Sequence, residues 1–146
     1  MDLQEYIKKV YTIAYRLTGD ETSAEDVASL AINRNANVIK DMIDTSILHK
    51  TTREVFSIFL MEPDKYSIIS HDTKNKTHMQ NRLMTLEPLS RTVLVWKDIM
   101  GYNIMDLETL SNCPKSELYK KLNTARKHLI GIAKTCYEYP AGTAGR

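Results

Sequence analysis

The stretch GYNIMDLETLSNCPKSELYKKLNTARKHL, Gly101 to Leu129, constrains this chain more than any other part of it. Gly101 closes one helix, and Ile104, Leu107 and Leu110 mark the apolar face of a short second one. Ser111, Asn112 and Cys113 form a tight turn, and asparagine tolerates the left-handed backbone that such a turn needs. Pro114 fits the first position of the following helix, where its missing N–H costs nothing. Leu118, Leu122, Ala125 and Leu129 then recur at i, i+4, i+7 and i+11, a single helical stripe. Opposite it lie Lys115, Lys120, Lys121, Asn123, Arg126 and Lys127. A short helix, a tight turn and a second helix with a basic face make a helix-turn-helix, the geometry that enters a DNA major groove.

The rest of the chain also reads as helix. Gln4 to Leu17 places Ile7, Val10, Tyr11, Ala14 and Leu17 on one face, and Gly19 is a natural cap for its end. Thr22 or Ser23 caps a second helix, which carries Ala24, Val27, Ala28, Leu30, Ala31, Val38, Ile39 and Met42 and runs to about Ile43. Asn33, Asn35 and Asn37 weaken its middle. Thr45 to Met61 is a third helical pattern ended by Pro63, and its Ile47, Leu48, Val55, Phe56, Ile58 and Phe59 close a three-helix core. Residues 63–80 are polar and aperiodic, which is the composition of a linker. Helix resumes over Leu83 to Met100, with Pro88 near a start and Trp96 on the apolar side. The pattern frays after Ala133, and residues 140–146 read as a disordered tail. The expected architecture is therefore all-α: two small helical domains, 1–62 and 81–139, joined by a linker, the second containing the helix-turn-helix.

Charge sharpens this picture. The whole chain carries only +2, but Lys115 to Lys134 hold six bases and one acid, whereas residues 1–60 hold nine acids and seven bases. Concentrated positive charge on one helix is what phosphate binding requires. The longest apolar run, Val55 to Met61, is far short of the roughly 20 residues of a membrane span. Asp2 and Glu5 have the wrong sign for a secretory leader, so a cytoplasmic protein with no membrane association is expected. Cys113 and Cys136 lack metal-ligand spacing and suit a reducing compartment, where burial is their expected role. His49, His71, His78 and His128 are scattered, and the chain has no phosphate-binding glycine loop, zinc signature or nucleophile elbow. Asp20, Glu21, Glu25 and Asp26 sit at a helix start, where capping explains them better than acid–base chemistry. No catalytic residue, metal or cofactor is expected, and the chain does not read as an enzyme.

Leu86, Pro88, Arg91, Val93, Leu94, Gly101, Asp106, Leu107, Pro114, Leu118, Leu122, Ala125, Arg126 and Leu129 together resemble the promoter-reading domain of bacterial RNA polymerase sigma factors of the extracytoplasmic-function type. YTIAYRLTGDETSAEDV, Tyr11 to Val27, is similar to the opening of that family's polymerase-binding domain, in the correct order and spacing. The resemblance covers about Tyr6 to Arg34 and Leu83 to Ile132. Departures are specific: Glu108 replaces a small alanine, Asn112 the turn glycine, and Lys121 an arginine. Ser29, Leu30 and Ile32 stand where the family places polar, acidic and phenylalanine docking residues, and REVFSIFLME replaces a tryptophan-bearing run.

The resemblance implies two partners, core RNA polymerase and promoter double-stranded DNA, and in many family members an anti-sigma protein. Polymerase contact would fall to Glu25, Asp26, Ser29, Leu30 and Arg34. Phosphate contacts would come from Lys115, Lys121 and Lys127, with the helix N-terminus at Lys115 and Ser116. Tyr119, Lys120, Asn123 and Thr124 would read bases of a −35 element. Two alternatives stay open because of the departures: a DNA-binding regulator that has lost promoter melting, and a protein-interaction module. All three readings need Leu122 buried, so Leu122→Ala should lower stability by about 2–5 kcal/mol in urea denaturation.

Overall fold

In the computed structural model every regular element among the described residues is helical. The structure describes the backbone of residues 1–39, 43–66 and 78–144, with side chains as far as Ile132. Ile68, Ile69 and His71 of the expected linker, and the side chains of Cys136, Tyr137 and Tyr139, lie outside the described residues.

Helix α1 spans Leu3–Thr18. The Asp2 carboxylate accepts from the Glu5 N–H at 2.8 Å and caps its start. Gly19 ends it in the left-handed conformation, φ +68°, where a side chain would be strained and would also strike Met84. The buried face is Tyr6, Val10, Ile13, Ala14 and Leu17. Ile7 is therefore displaced from the apolar face expected for it and is exposed. Tyr6 takes the inner position because its hydroxyl has a buried partner, donating to Thr51 Oγ1, which itself donates to the Ile47 carbonyl.

Helix α2 spans Glu21–Arg34. Its cap is Asp20, not Thr22 or Ser23: the Asp20 carboxylate accepts from the Ser23 N–H at 2.9 Å. Asp20 emerges extended from the Gly19 turn, and from there its short side chain reaches the third helical N–H. The helix also stops well before Ile43. The Asn35 side chain donates to the Ala31 carbonyl at 3.1 Å, competing with the backbone ladder, and a 3-10 turn, Ala36–Val38, follows. Helix α3, Thr45–Met61, has the bounds expected for it and is capped by Asp44.

A single turn, α4 (Pro63–Tyr66), and helix α5 (His78–Met84) occupy the two ends of the expected linker. Gln80 and Tyr66 there are buried: Gln80 bonds to the Tyr15 carbonyl, and Tyr66 joins the apolar core. Helix α6, Pro88–Leu94, then runs into a π-helical stretch, Val95–Ile99. The single helix expected over Leu83 to Met100 is thus broken at Glu87. Its ψ of 157° is extended, as the ring of Pro88 demands of the residue before it. Helix α7, Ile104–Ser111, and helix α8, Lys115–Ala144, complete the chain. The backbone of α8 is helical past the expected fraying point and through most of the expected tail. Extension of an existing helix needs no core contact, since each added residue other than Pro140, which has no N–H, contributes one more backbone bond.

The buried side chains of α1–α3 and of α5–α8 form one contiguous cluster. Trp96 stands where the two groups meet. It has no exposed surface and lies edge-on to Phe56 of α3 and to Tyr102, each at 4.9 Å. Its indole N–H donates to the Asn103 carbonyl at 2.7 Å, so its polar atom is satisfied.

Arg91 is the other junction. Only 4 % of it is exposed. Burial pushes its guanidinium down to about 10, so it is still charged at neutral pH and needs acceptors. It finds the carbonyls of Leu17 at 2.6 Å, Leu86 at 2.9 Å and Leu83 at 3.0 Å. Beside it the Gln80 amide donates to the Tyr15 carbonyl at 3.0 Å. The Tyr15 carbonyl, which already accepts from the Gly19 N–H at 2.8 Å, thereby gains a second donor, and the carbonyls of Arg16 and Leu17 at the end of α1 are reached from residues 64 and 74 positions away. Arg91→Leu should cost about 3 kcal/mol or more, read from the urea midpoint, because the Leu17 and Leu86 carbonyls lose a charged donor, whereas Leu83 keeps the Leu86 N–H. Arg91→Lys should recover little of that, lacking the planar fork.

Candidate nucleic-acid interface

Helices α7 and α8 are joined by Asn112, Cys113 and Pro114. Asn112 has φ 53° and ψ 38°, the left-handed conformation expected of the turn, and is the one described non-glycine residue with positive φ. Pro114 lies one position earlier than expected, at the N-cap: its carbonyl accepts the first helical bond, from the Leu118 N–H at 3.0 Å. The ring presets φ without deleting a needed donor there.

Leu118, Leu122 and Ala125 have no exposed surface, and Leu107 of α7 meets them fully buried. Leu110 and Leu129 are only partly buried at the edge of this cluster. The opposite face of α8 is open: Lys115, Ser116, Tyr119, Lys120, Asn123, Thr124 and Lys127 are all exposed. The Lys115 ammonium lies 6.0 Å from the centre of the Tyr119 ring, within range of a weak cation–π contact. Lys120 is 3.8 Å from Glu117 one turn earlier.

Lys121 and Arg126 flank the buried stripe on either side and are engaged elsewhere. Lys121 donates to the Glu87 carboxylate at the head of α6. Arg126 makes two bonds to Asp98 in the π-helical stretch, Nε to Oδ2 at 2.8 Å and Nη2 to Oδ1 at 2.6 Å, the bidentate geometry that suits guanidinium and carboxylate. The Lys121 bond holds the Glu87 carboxyl below the usual carboxylate range, aided by the Ser90 hydroxyl. Arg126 does the same to Asp98. A further acid, Glu108 of α7, accepts from the Lys115 backbone N–H at 2.8 Å. Of the residues assigned to phosphate contact, Lys115 and Lys127 therefore project openly, and Lys121 is already held by an acid.

The anchoring acids Glu87, Asp98 and Glu108 carry no local sequence signal. Glu108 is noticeable in the sequence only as a departure from the family pattern, and the distance of Glu87 from Lys121, 34 positions, hides that pair altogether.

The residues assigned to polymerase contact share one surface. Glu25, Asp26, Ser29, Leu30 and Arg34 are all exposed on the outer side of α2. Arg34 also bridges to Glu54 of α3 at 2.9 Å. Leu30, at 42 % exposure, is an apolar point within an otherwise polar surface. No group of three His, Cys, Asp or Glu among the described residues is placed to hold a metal ion, and no helix among them is long and apolar enough to cross a membrane.

No protein-family model matches the sequence, and comparison with curated proteins gave no match.

The ion pairs predict an acid response. Glu87 and Asp98 have folded pKa values below their unfolded ones, so their stabilisation is complete above the ordinary carboxylate range and is lost as pH falls through the depressed values. Both pairs are substantially exposed, which limits each to about 0.2–1 kcal/mol. A Glu87→Gln, Asp98→Asn variant should be less stable than the parent at about pH 7, and the two should converge as pH falls below the ordinary carboxylate range. Urea melts of both proteins as a function of pH measure it.

Proposed function

We propose that this chain is a sigma-factor-like transcription initiation protein of the cytoplasm. In this reading residues 1–62 bind core RNA polymerase through the outer side of α2, and residues 81–139 read a promoter −35 element. Helices α7 and α8 serve as a helix-turn-helix, with α8 in the major groove. The observation that carries the reading is the open face of α8: a left-handed turn at Asn112 leads into a helix whose apolar stripe is buried while Ser116, Tyr119, Lys120, Asn123, Thr124 and Lys127 stay exposed. Lys120 offers a donor to guanine, Asn123 a donor and acceptor to adenine, and Thr124 a methyl and hydroxyl. Lys115 and Lys127 take phosphates, and Lys121 acts as an anchor. On the polymerase side Glu25, Asp26 and Arg34 supply charge, and Ser29 and Leu30 replace polar and acidic docking residues, so the grip on core enzyme is weaker than in typical family members.

One observation favours a second reading, a sigma-like regulator or protein-interaction module. Lys120, Lys121 and Arg126 are each within reach of an acid, Glu117, Glu87 and Asp98, so much of the positive charge of α8 is neutralised internally.

Fluorescence titration of the full chain against promoter-like and scrambled duplexes at several salt concentrations, with a parallel pull-down of core polymerase, separates these. With Lys115, Lys120 and Lys127 engaging phosphate or base, the slope of log affinity against log salt should be roughly −2 to −3. Lys127→Ala should reduce it by about one and weaken all sequences equally, whereas Asn123→Ala should relax preference at particular bases. Salt-independent binding, or none, overturns the DNA reading. Failure to retain core polymerase while binding DNA points to the regulator.

A further inference from the structure

Helix α8 is fixed to the rest of the molecule by an apolar stripe and by polar bonds along its flanks. The stripe of Leu118, Leu122 and Ala125 holds it down and decides which face points inward, but apolar contact is non-directional and defines small rotations and slides less sharply. Directional bonds remove that freedom. The Lys121 and Arg126 pairs tie its middle to the head of α6 and to the π-helical stretch. Its first turn is tied to α7 by the bond from the Lys115 N–H to Glu108, which spans the turn between the two helices. Glu108 and Lys115 are seven positions apart, and Pro114, between them, has no N–H of its own to offer. The bond is made by backbone of α8, so it restrains the helix axis itself and not a mobile side chain.

We infer that Glu108 is a positioning residue for the reading face of α8: its bond across the turn sets the direction in which α8 leaves α7, and hence which bases the exposed side chains can reach. This rests on the proposed DNA-reading function. A small residue at this position would leave the helix exit to apolar packing and turn geometry. A carboxylate adds a directional bond and also places a negative charge beside a DNA-facing helix start, which lowers affinity for any duplex. The trade is looser general binding for a fixed register, and it separates two effects that substitutions can isolate. Gln at this position keeps an acceptor oxygen and removes the charge; Ala removes both.

The test uses the full-length chain, a preferred duplex selected from a randomised pool by the parent protein, and a scrambled duplex. Glu108→Ala should reduce the ratio of preferred to scrambled affinity by about tenfold, the discrimination of one good base contact, while affinity for the scrambled duplex holds or rises. Glu108→Gln should keep the ratio and tighten both duplexes. Amide hydrogen exchange supplies a readout that needs no DNA: the Lys115 N–H should be protected in the parent and in Glu108→Gln and exchange faster in Glu108→Ala. An unchanged ratio in Glu108→Ala, or a parallel fall on both duplexes as from a smaller folded fraction, overturns the inference and leaves the DNA reading standing. So does equal exchange at Lys115 in all three proteins. If the parent binds no duplex, the DNA reading fails and the inference fails with it.

Discussion

A guanidinium taken almost wholly out of water must be surrounded by acceptors, and the acceptors available to Arg91 are carbonyls at helix ends. Leu17 belongs to the last turn of α1, whose C-terminal carbonyls carry the negative end of the helix dipole. Leu83 and Leu86 lie where α5 gives way to the extended residue before Pro88. One side chain thus completes two helix ends that meet nowhere else in sequence. Gln80 adds a second bond at the Tyr15 carbonyl and reaches that of Arg16, and Arg16 returns a bond to the Gln80 side-chain oxygen at 3.3 Å. The left-handed Gly19 allows this by turning the chain away and letting Met84 approach the turn closely. Without these donors the Leu17 carbonyl would lose its buried partner, and the docking of α5 and α6 on α1 would lose its directional component.

From that anchor the rest follows outward. Pro88 starts α6 just beyond the Arg91 acceptors, α6 leads into the π-helical stretch, and that stretch supplies Asp98 to hold Arg126. The same stretch presents Trp96 to Phe56 of α3 and bends the chain through Gly101 into α7. Helix α8 therefore rests on a mount built from α6, the π-helical stretch and α7. Its outward face stays free of core duties, which is the condition for a surface that reads a partner. The acids that build the mount also cancel part of the charge of α8.

Local features of this architecture were legible in the sequence. The bounds of α3, the Gly19 cap, the Asn112 turn and the buried Leu118, Leu122 and Ala125 all follow from short-range periodicity and capping chemistry. The readings that missed did so where a distant partner or a near-degenerate local choice decided the outcome. Tyr6 displaced Ile7 because Thr51 offered its hydroxyl a bond. Asp20 outcompeted Thr22 and Ser23 for the cap because the Gly19 turn delivered it in extended conformation. Gln80 looked like linker because its acceptors lie about 65 residues earlier. For the candidate site, the exposed face of α8 could be drawn from the sequence, but the diversion of Lys121 and Arg126 into ion pairs could not. Their acids stand 34 and 28 positions away.

Transcription directed by core RNA polymerase is the property that the proposed reading stakes most on. Core enzyme supplemented with the full chain should be run on a library of promoter fragments, with core enzyme alone as the reference. The account predicts transcripts that depend on the chain, that share an upstream element, and that disappear when Lys120 and Asn123 are both replaced by alanine. A chain that neither associates with core enzyme nor alters its transcripts on any fragment would contradict it.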